Sequence, residues 1–135
     1  MGMTGGCLCG QVRYELSADP AVCLNCHCKD CQRQAGSSFS FIVGVPEGTV
    51  DVTGELKTHD GKGDSGGRVQ RQFCPECGSP LFSLVDNAPG MVWVKAGTLD
   101  DTSSLTPAMN IFTKSKQHWL ELGAIPAFEE GPSGI

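Results

Sequence analysis

Alternation of apolar and polar residues dominates the chain and predicts many short β-strands. Residues 11–16 alternate clearly, as is typical of a half-buried strand. Other segments are rich in β-branched and aromatic residues and stop at Gly, Pro, Asn or Asp, which favour turns. The pattern predicts strands at residues 11–16, 21–27, 39–45, 49–52, 54–59, 68–73, 81–85, 91–96 and 108–112.

One polar segment departs from this pattern. Residues 29–35 lack helix breakers and precede Gly36, a residue that often ends helices because it adopts left-handed backbone. We therefore predict an all-β fold with one short helix. No composition shift marks a domain boundary, so residues 1–135 are expected to form one domain with a core at about 5–128 and a flexible tail at 129–135. Residues 61–67 are predicted to form a mobile glycine-rich loop.

Charge limits the classes of partner. The chain has 10 Lys and Arg against 15 Asp and Glu, a net charge of −5, and no basic run. This balance argues against nucleic acid and membrane surfaces and favours a small-molecule or protein partner. No apolar run is long enough for a transmembrane helix, and the N-terminal residues do not resemble a signal peptide, so a cytoplasmic location is expected. The sequence leaves the oligomeric state open.

Two pairs of cysteines lie far apart along the chain. Reduced cytoplasmic thiols at such tight spacing usually bind metal rather than form disulfides. Cys74-x-x-Cys77 precedes Gly78, which allows the tight turn of a zinc knuckle, whereas Cys7 and Cys9 would project to one face of an extended chain. Four thiolates complete a tetrahedral shell, so these pairs predict a closed, structural zinc site.

A third group places three thiols within six residues, at Cys26, Cys28 and Cys31. Their sulfur atoms can converge if Cys31 lies on the first turn of the predicted helix. Cys23, His27, water or a substrate are the alternatives for a fourth ligand, and Cys23 is otherwise expected to be an ordinary buried thiol. Zinc with an open position is typical of catalytic sites, and metal coordination favours the thiolate form of an incoming thiol. The group therefore indicates chemistry between a thiol and a small electrophile.

The cysteines and their neighbours resemble the glutathione-dependent formaldehyde-activating enzyme (GFA) family, which includes the centromere protein V group. The similar segments cover most of residues 5–128, and seven cysteines match in order and spacing. These segments are Gly6-Cys7-Leu8-Cys9-Gly10-Gln11-Val12-Arg13-Tyr14, residues 26–39 beginning Cys26-His27-Cys28-Lys29-Asp30-Cys31, and Phe73-Cys74-Pro75-Glu76-Cys77-Gly78-Ser79-Pro80-Leu81-Phe82.

The resemblance implies an Mss4-like β-tent fold with two Zn²⁺ ions per chain. The structural zinc would be held by Cys7, Cys9, Cys74 and Cys77, and the catalytic zinc by Cys26, Cys28 and Cys31. The implied activity is that of a carbon–sulfur lyase that joins glutathione to formaldehyde and gives S-hydroxymethylglutathione. The alternative is a non-catalytic zinc module that binds protein partners, as other Mss4-like folds do.

An anionic substrate such as glutathione requires cationic side chains in its pocket. Arg33 follows the three cysteines at helical spacing and is the first candidate, and Lys29 is the second. Both residues could equally belong to a solvated helix face. Trp93 is most simply interpreted as a core residue.

Overall fold

The structure, a computed structural model, describes residues 2–63 and 66–131. Within them the chain forms ten strands, one α-helix and two short 3-10 turns at Ala96–Thr98 and Thr113–Ser115. The prediction of a mainly β fold with one short helix is confirmed. The strands are β1 (Met3–Gly6), β2 (Arg13–Leu16), β3 (Val22–Cys26), β4 (Ser40–Pro46), β5 (Val50–Thr53), β6 (Lys57–Lys62), β7 (Arg68–Phe73), β8 (Pro80–Val85), β9 (Met91–Lys95) and β10 (Met109–Ile111).

The strands form a small sheet and a large sheet. The small sheet has the order β1-β2-β5, and the large sheet has the order β10-β3-β4-β9-β8-β7-β6. All pairs are antiparallel except β10 with β3. Short connections between sequence neighbours account for most pairs, whereas β4 with β9 brings together segments that are distant in sequence.

The large sheet has two buried faces. Val43, Val45 and Val94 belong to the core that the large sheet shares with Tyr14 and Leu16 of the small sheet. The neighbouring positions along the same strands project to the opposite face, because side chains alternate across a strand. There Leu24, Cys26, Trp93, Ile111 and Phe112 form a second apolar cluster. This second face carries the candidate site.

Helix α1 spans Lys29–Ala35, the bounds predicted from sequence, and is followed by Gly36 at φ 65°. Gly36 donates its backbone N–H to the carbonyl of Gln32, which satisfies the last turn. The Gln32 side chain is buried and attaches the helix to its surroundings. Its Nε2 donates to the carbonyls of His27 (2.8 Å) and Ser115 (2.9 Å), and Gln117 Nε2 donates to its Oε1 at 2.6 Å.

Two predicted segments differ from the structure. The strand predicted at 54–59 lies at Lys57–Lys62, so Gly61 and Lys62 are paired with β7 rather than in the loop predicted at 61–67. Residues 64–65 of that loop, and residues 132–135 of the predicted tail, lie outside the described residues. Within the described part of the tail, the carbonyls of Glu129 and Glu130 accept hydrogen bonds from the backbone of Lys114 and Phe112.

Candidate functional site

The two outer cysteine pairs meet at the junction of the two sheets. The sulfur atoms of Cys7, Cys9, Cys74 and Cys77 all lie within 4.8 Å of one another. The Sγ atoms of Cys7 and Cys9 are 3.6 Å apart, and those of Cys9 and Cys74 are 3.8 Å apart. A tetrahedral zinc with bonds of about 2.3 Å requires sulfur–sulfur distances of roughly 3.8 Å. These two distances match a tetrahedral zinc site, and the four-cysteine cluster is compact enough to hold one metal ion.

Both pairs lie on tight turns that a glycine closes. Gly10 donates its backbone N–H to the Cys7 carbonyl with φ 83°, and Gly78 donates to the Cys74 carbonyl with φ 77°. The left-handed turn expected at Gly78 is confirmed. The extended geometry expected for Cys7 and Cys9 is wrong, because a turn rather than strand alternation directs their sulfur atoms to one point.

Backbone and hydroxyl donors stabilise negative charge on two of these sulfur atoms, those of Cys7 and Cys77. The Val12 N–H donates to Cys7 Sγ at 3.2 Å. The side chain and backbone of Ser79 lower the pKa of Cys77 to about 5, and the Ser79 hydroxyl lies 3.2 Å from Cys77 Sγ. Such donors favour thiolates, the form in which cysteine binds metal.

The three central cysteines converge as predicted. Cys26 ends β3, Cys28 is the residue before α1, and Cys31 lies in the first turn of the helix. The Sγ atoms of Cys26 and Cys31 are 3.2 Å apart, and Cys28 Sγ accepts the Cys31 backbone N–H at 3.2 Å. All three sulfur atoms lie within 4.8 Å of one another, so this three-cysteine cluster could also hold a metal ion.

Neither Cys23 nor His27 joins the three-cysteine cluster. Cys23 lies on the opposite face of β3, in the core shared with the small sheet. His27 is fully buried, and its Nε2 bonds to Asn110 Oδ1 at 2.8 Å. Among the described residues, no fourth His, Cys, Asp or Glu ligand atom groups with the three sulfurs. Of the four alternatives, water and substrate are those that this geometry leaves.

A cavity of about 80 Å³ adjoins the three-cysteine cluster. Its walls are largely apolar, and Trp93, Ile42 and Phe112 contribute to them. The close approach of Trp93 to β4 requires Gly44, since a Cβ at that position would lie 2.8 Å from the indole ring. The volume is several times the roughly 10–15 Å³ that one water needs on this measure, but it is small for a peptide.

Two cationic residues, Lys95 and Arg71, also line this cavity. Lys95 is only 7% exposed, and its Nζ donates to Ser40 Oγ at 2.7 Å. The hydrogen bonds of Cys26 and Cys28, with smaller contributions from the charges of Lys95 and Arg71, lower the pKa of Cys31 to about 3. The same hydrogen bonds, together with burial, raise the pKa of Cys26. Without a metal, the cluster therefore concentrates its negative charge on one sulfur.

Two buried polar atoms of cavity-lining residues have no hydrogen-bond partner among the described residues. They are the indole nitrogen Nε1 of Trp93, a donor, and Oε1 of Gln34, an acceptor. Buried polar atoms are rarely left unpaired in folded proteins. The pair is consistent with a small polar ligand in or beside the cavity.

Arg33 lies outside the cavity. It lines an adjoining open groove of about 400 Å³ with His59, Lys62 and Arg71, and Gln34 and Arg71 border both spaces. Lys29 lines neither of these two spaces and instead borders a more open depression together with Ser37 and Ser38, which Arg33 also lines. The substrate-binding role of Arg33 stays a prediction, and the groove is the place where it would act.

Sequence interpretation missed Lys95 and Arg71. The expectation that Trp93 is a core residue is confirmed, and the same side chain also lines the cavity. A signal for Lys95 was present in the strand pattern of β9, where Val92 and Val94 alternate with Trp93 and Lys95. A lysine whose neighbours on the same face are buried departs from the usual exposure of lysine. Nothing in the local pattern distinguishes Arg71, because β7 alternates only weakly.

Comparisons with known proteins bear on the fold and the family of this chain. A crystal structure of a Rhodobacter sphaeroides protein superposes with a TM-score of 0.60 over 93% of this chain and 99% of its own, at 21% identity. Provisionally named glutathione-dependent formaldehyde-activating enzymes align over 82 residues, at 32% identity in Penicillium rubens and 33% in Phaeosphaeria nodorum. The alignments cover 59% and 60% of this chain but 42% of each relative, so the chain spans less than half of their length.

The family profile described as "Glutathione-dependent formaldehyde-activating enzyme" matches residues 2–115. That range contains all seven clustered cysteines, both sheets and all of the residues that line the cavity. No helix among the described residues has the length and apolar character needed to cross a membrane. On the extent of this match, the chain belongs to the glutathione-dependent formaldehyde-activating enzyme family.

Proposed function

We propose that the protein is a zinc-dependent enzyme of the carbon–sulfur lyase type, acting in the cytoplasm. It joins a thiol, glutathione, to a small aldehyde such as formaldehyde and forms S-hydroxymethylglutathione. The observation that carries the proposal is the three-cysteine cluster, which borders a small cavity that two cationic side chains also line. Family membership supports the choice of reaction.

Two Zn²⁺ ions per chain complete this proposal. Cys7, Cys9, Cys74 and Cys77 would hold a structural ion, and Cys26, Cys28 and Cys31 would hold the catalytic ion. When bound at the three-cysteine cluster, zinc would favour the thiolate form of a substrate thiol near neutral pH. The sulfur-only donor sets suit zinc, and three protein ligands are the number typical of its catalytic sites.

The cavity and the groove would divide glutathione between them. At about 80 Å³, the cavity accommodates the thiol end and a one-carbon aldehyde. The peptide body and its two carboxylates would lie in the adjoining groove, where Arg33 and Lys62 contribute two positive charges against the single carboxylate of Asp30, and Arg71 lies between the groove and the cavity. Guanidinium groups are suited to carboxylates because they donate two parallel hydrogen bonds.

The bond changes of the reaction place few demands on the protein. The thiolate sulfur forms a bond to the carbonyl carbon, the π electron pair of the C=O bond moves to oxygen, and one proton from solvent completes the hydroxyl group. The apolar walls exclude bulk water and strengthen electrostatic interactions. The hydroxyl group can both donate and accept, which matches the unpaired Trp93 Nε1 and Gln34 Oε1.

Exchange spectroscopy tests the reaction directly. NMR of formaldehyde and glutathione should show faster formation of S-hydroxymethylglutathione with the zinc-loaded protein than without it. Replacing Arg33 by Met should raise KM for glutathione roughly tenfold with little change in kcat, since one charge-assisted contact to a carboxylate contributes about 1.5–3 kcal/mol.

Lys29→Met is the matched control for this test. It removes one positive charge from the same helix but lies outside the groove, so KM should stay within about twofold of the wild-type value. Equal effects of the two substitutions would argue against a groove-bound glutathione. A zinc-loaded protein that does not accelerate the reaction would favour the alternative, a non-catalytic zinc module that binds protein partners.

A further inference from the structure

Lys95 is a buried cation without a carboxylate partner among the described residues. Its ammonium group donates one hydrogen bond among those residues, from Nζ to the Ser40 hydroxyl, and Ser40 is itself 1% exposed. The three salt bridges found within the described residues are Arg13–Asp100, Arg68–Asp60 and Lys114–Glu130, all at the surface. A buried charge is unfavourable unless another charge compensates it. Burial lowers the pKa of Lys95, whereas the charges of Cys31, Cys26 and Cys28 raise it, so an anion at the cluster favours the charged form of this lysine.

The strand register brings Lys95 to the three-cysteine cluster. Lys95 in β9 is opposite Ile42 in β4, and Ser40, two residues before Ile42, is opposite Cys26 in β3. Residues two apart on a strand share a face, so Ser40, Ile42 and Cys26 bring the lysine and the cluster to the same side of the sheet. The cavity that Lys95 and the three cysteines line together is the result.

The sum of the charges around the cavity indicates which charge a ligand of the cavity should have. Zinc with three thiolates has one net negative charge, and Lys95 and Arg71 together supply two positive charges. No carboxylate lines the cavity. The site with its metal is thus left with one positive charge in excess, and one further anion would make it neutral.

We propose that Lys95, with Arg71, is the counter-ion that lets the site accept a substrate in thiolate form. Ser40 is the positioning residue that holds the Lys95 ammonium group at the cavity. This inference rests on the proposed function. It adds that binding of the thiolate requires the positive charge of Lys95, whatever peptide is attached to the thiol. Any thiolate small enough for the cavity should depend on Lys95, whether or not it has carboxylates.

The test measures thiol binding rather than turnover. The protein is loaded with Co²⁺ in place of zinc, and binding of 2-mercaptoethanol and of glutathione is followed through the sulfur-to-cobalt charge-transfer absorption. Lys95→Met should weaken the binding of both thiols by about tenfold or more, because one unit charge close to a thiolate in a low-dielectric cavity is removed. Lys95→Gln, which keeps a hydrogen-bonding group but no charge, should have the same effect.

Two matched variants separate this effect from others. Lys57→Met removes a lysine from the exposed strand β6 and should leave both dissociation constants within about twofold of the wild-type values. Arg33→Met should weaken the binding of glutathione but not that of 2-mercaptoethanol, since only glutathione has carboxylates that can lie in the groove. The Lys95 variants should remain folded and keep their metal, because a buried charge is replaced by a side chain of similar volume. Metal content and the thermal unfolding midpoint check this.

The outcomes distinguish the two proposals. Parallel weakening of both thiols in Lys95→Met and Lys95→Gln supports the counter-ion role. Unchanged affinities in variants that retain two metal ions overturn it while leaving the proposed function intact. A wild-type protein that binds neither thiol overturns both. Weakening in Lys95→Met but not in Lys95→Gln overturns the charge argument and assigns the effect to the hydrogen bond with Ser40.

Discussion

Both cysteine clusters offer sulfur ligands, but one is suited to stabilising the fold and the other to binding a substrate. The four-cysteine cluster joins residues far apart in sequence, with Cys9 and Cys74 separated by 65 positions, and its sulfur atoms complete a shell. The three-cysteine cluster lies within one short segment, lacks a fourth protein ligand among the described residues and faces a cavity with two cations. A shell that closes a long loop stabilises the fold, whereas an incomplete shell beside a cavity leaves room for a substrate.

The largest expected difference is in stability. Cys77→Ser should remove the structural metal and abolish cooperative folding, since structural zinc contributes on the order of 10 kcal/mol, comparable to the whole stability of a domain. Cys28→Ser should keep the fold and lose the second metal. Circular dichroism melts with metal analysis measure both. Similar unfolding by the two substitutions would mean that the clusters do not differ in role.

Metal removal should separate the clusters in a graded way. The purified protein is expected to contain about two zinc ions per chain. A chelator should extract the ion at the three-cysteine cluster first, without loss of the far-ultraviolet signal, because three protein ligands leave a coordination position that the chelator can occupy. Release of the second ion should coincide with unfolding. A single phase of release would contradict this order, and a colorimetric zinc indicator recorded alongside circular dichroism would detect it.

A smaller effect is expected from the polar residue that supports the three-cysteine segment. Gln32→Leu removes the donor to the carbonyls of His27 and Ser115, at a cost of about 1–3 kcal/mol for groups left unpaired. Zinc affinity should fall at the three-cysteine cluster and stay unchanged at the four-cysteine cluster. Competition with a chelator of known affinity measures each site.

Gln117→Leu provides the graded control for Gln32. It removes only the hydrogen bond to Gln32 Oε1, so its effect should be in the same direction and weaker. If Gln117→Leu reduced zinc affinity as much as Gln32→Leu, the anchoring of the His27 and Ser115 carbonyls would not be the cause.

The smallest effect is expected at the surface ion pair between Arg13, in strand β2 of the small sheet, and Asp100. Arg13, followed by Thr4, lowers the pKa of Asp100 to about 2. Because the folded-state pKa is below the ordinary value of about 3.9, this stabilisation is complete above pH 4 and is lost as the pH falls toward 2. Asp100→Asn should therefore lower the urea midpoint slightly at pH 7. The difference from wild type should shrink below pH 4, and a difference that grows there would contradict this sign.

Local sequence features predicted a large part of the fold. Helix α1 and strand β7 have the predicted bounds, and a glycine marks one end of each, since Gly36 follows the helix and Gly67 precedes the strand. The strand predicted at 54–59 was displaced by three residues, since the glycines at 61 and 63 resemble loop sequence and only pairing with β7 extends β6 through Gly61 and Lys62. Pairing across a sheet is not contained in a local pattern.

The same division holds for the site. Cysteine spacing by itself determined the two candidate ligand sets, because two- and three-residue separations limit the directions that neighbouring sulfur atoms can take. Only the tertiary structure decided that Cys23 faces the other core and that Lys95 and Arg71 share a cavity with Cys26. These residues are brought together by the pairing of β4 with β3 and β9 and by the order of strands in the sheet. The charge that surrounds the thiolates therefore depends on strand register, and spacing along the chain does not specify it.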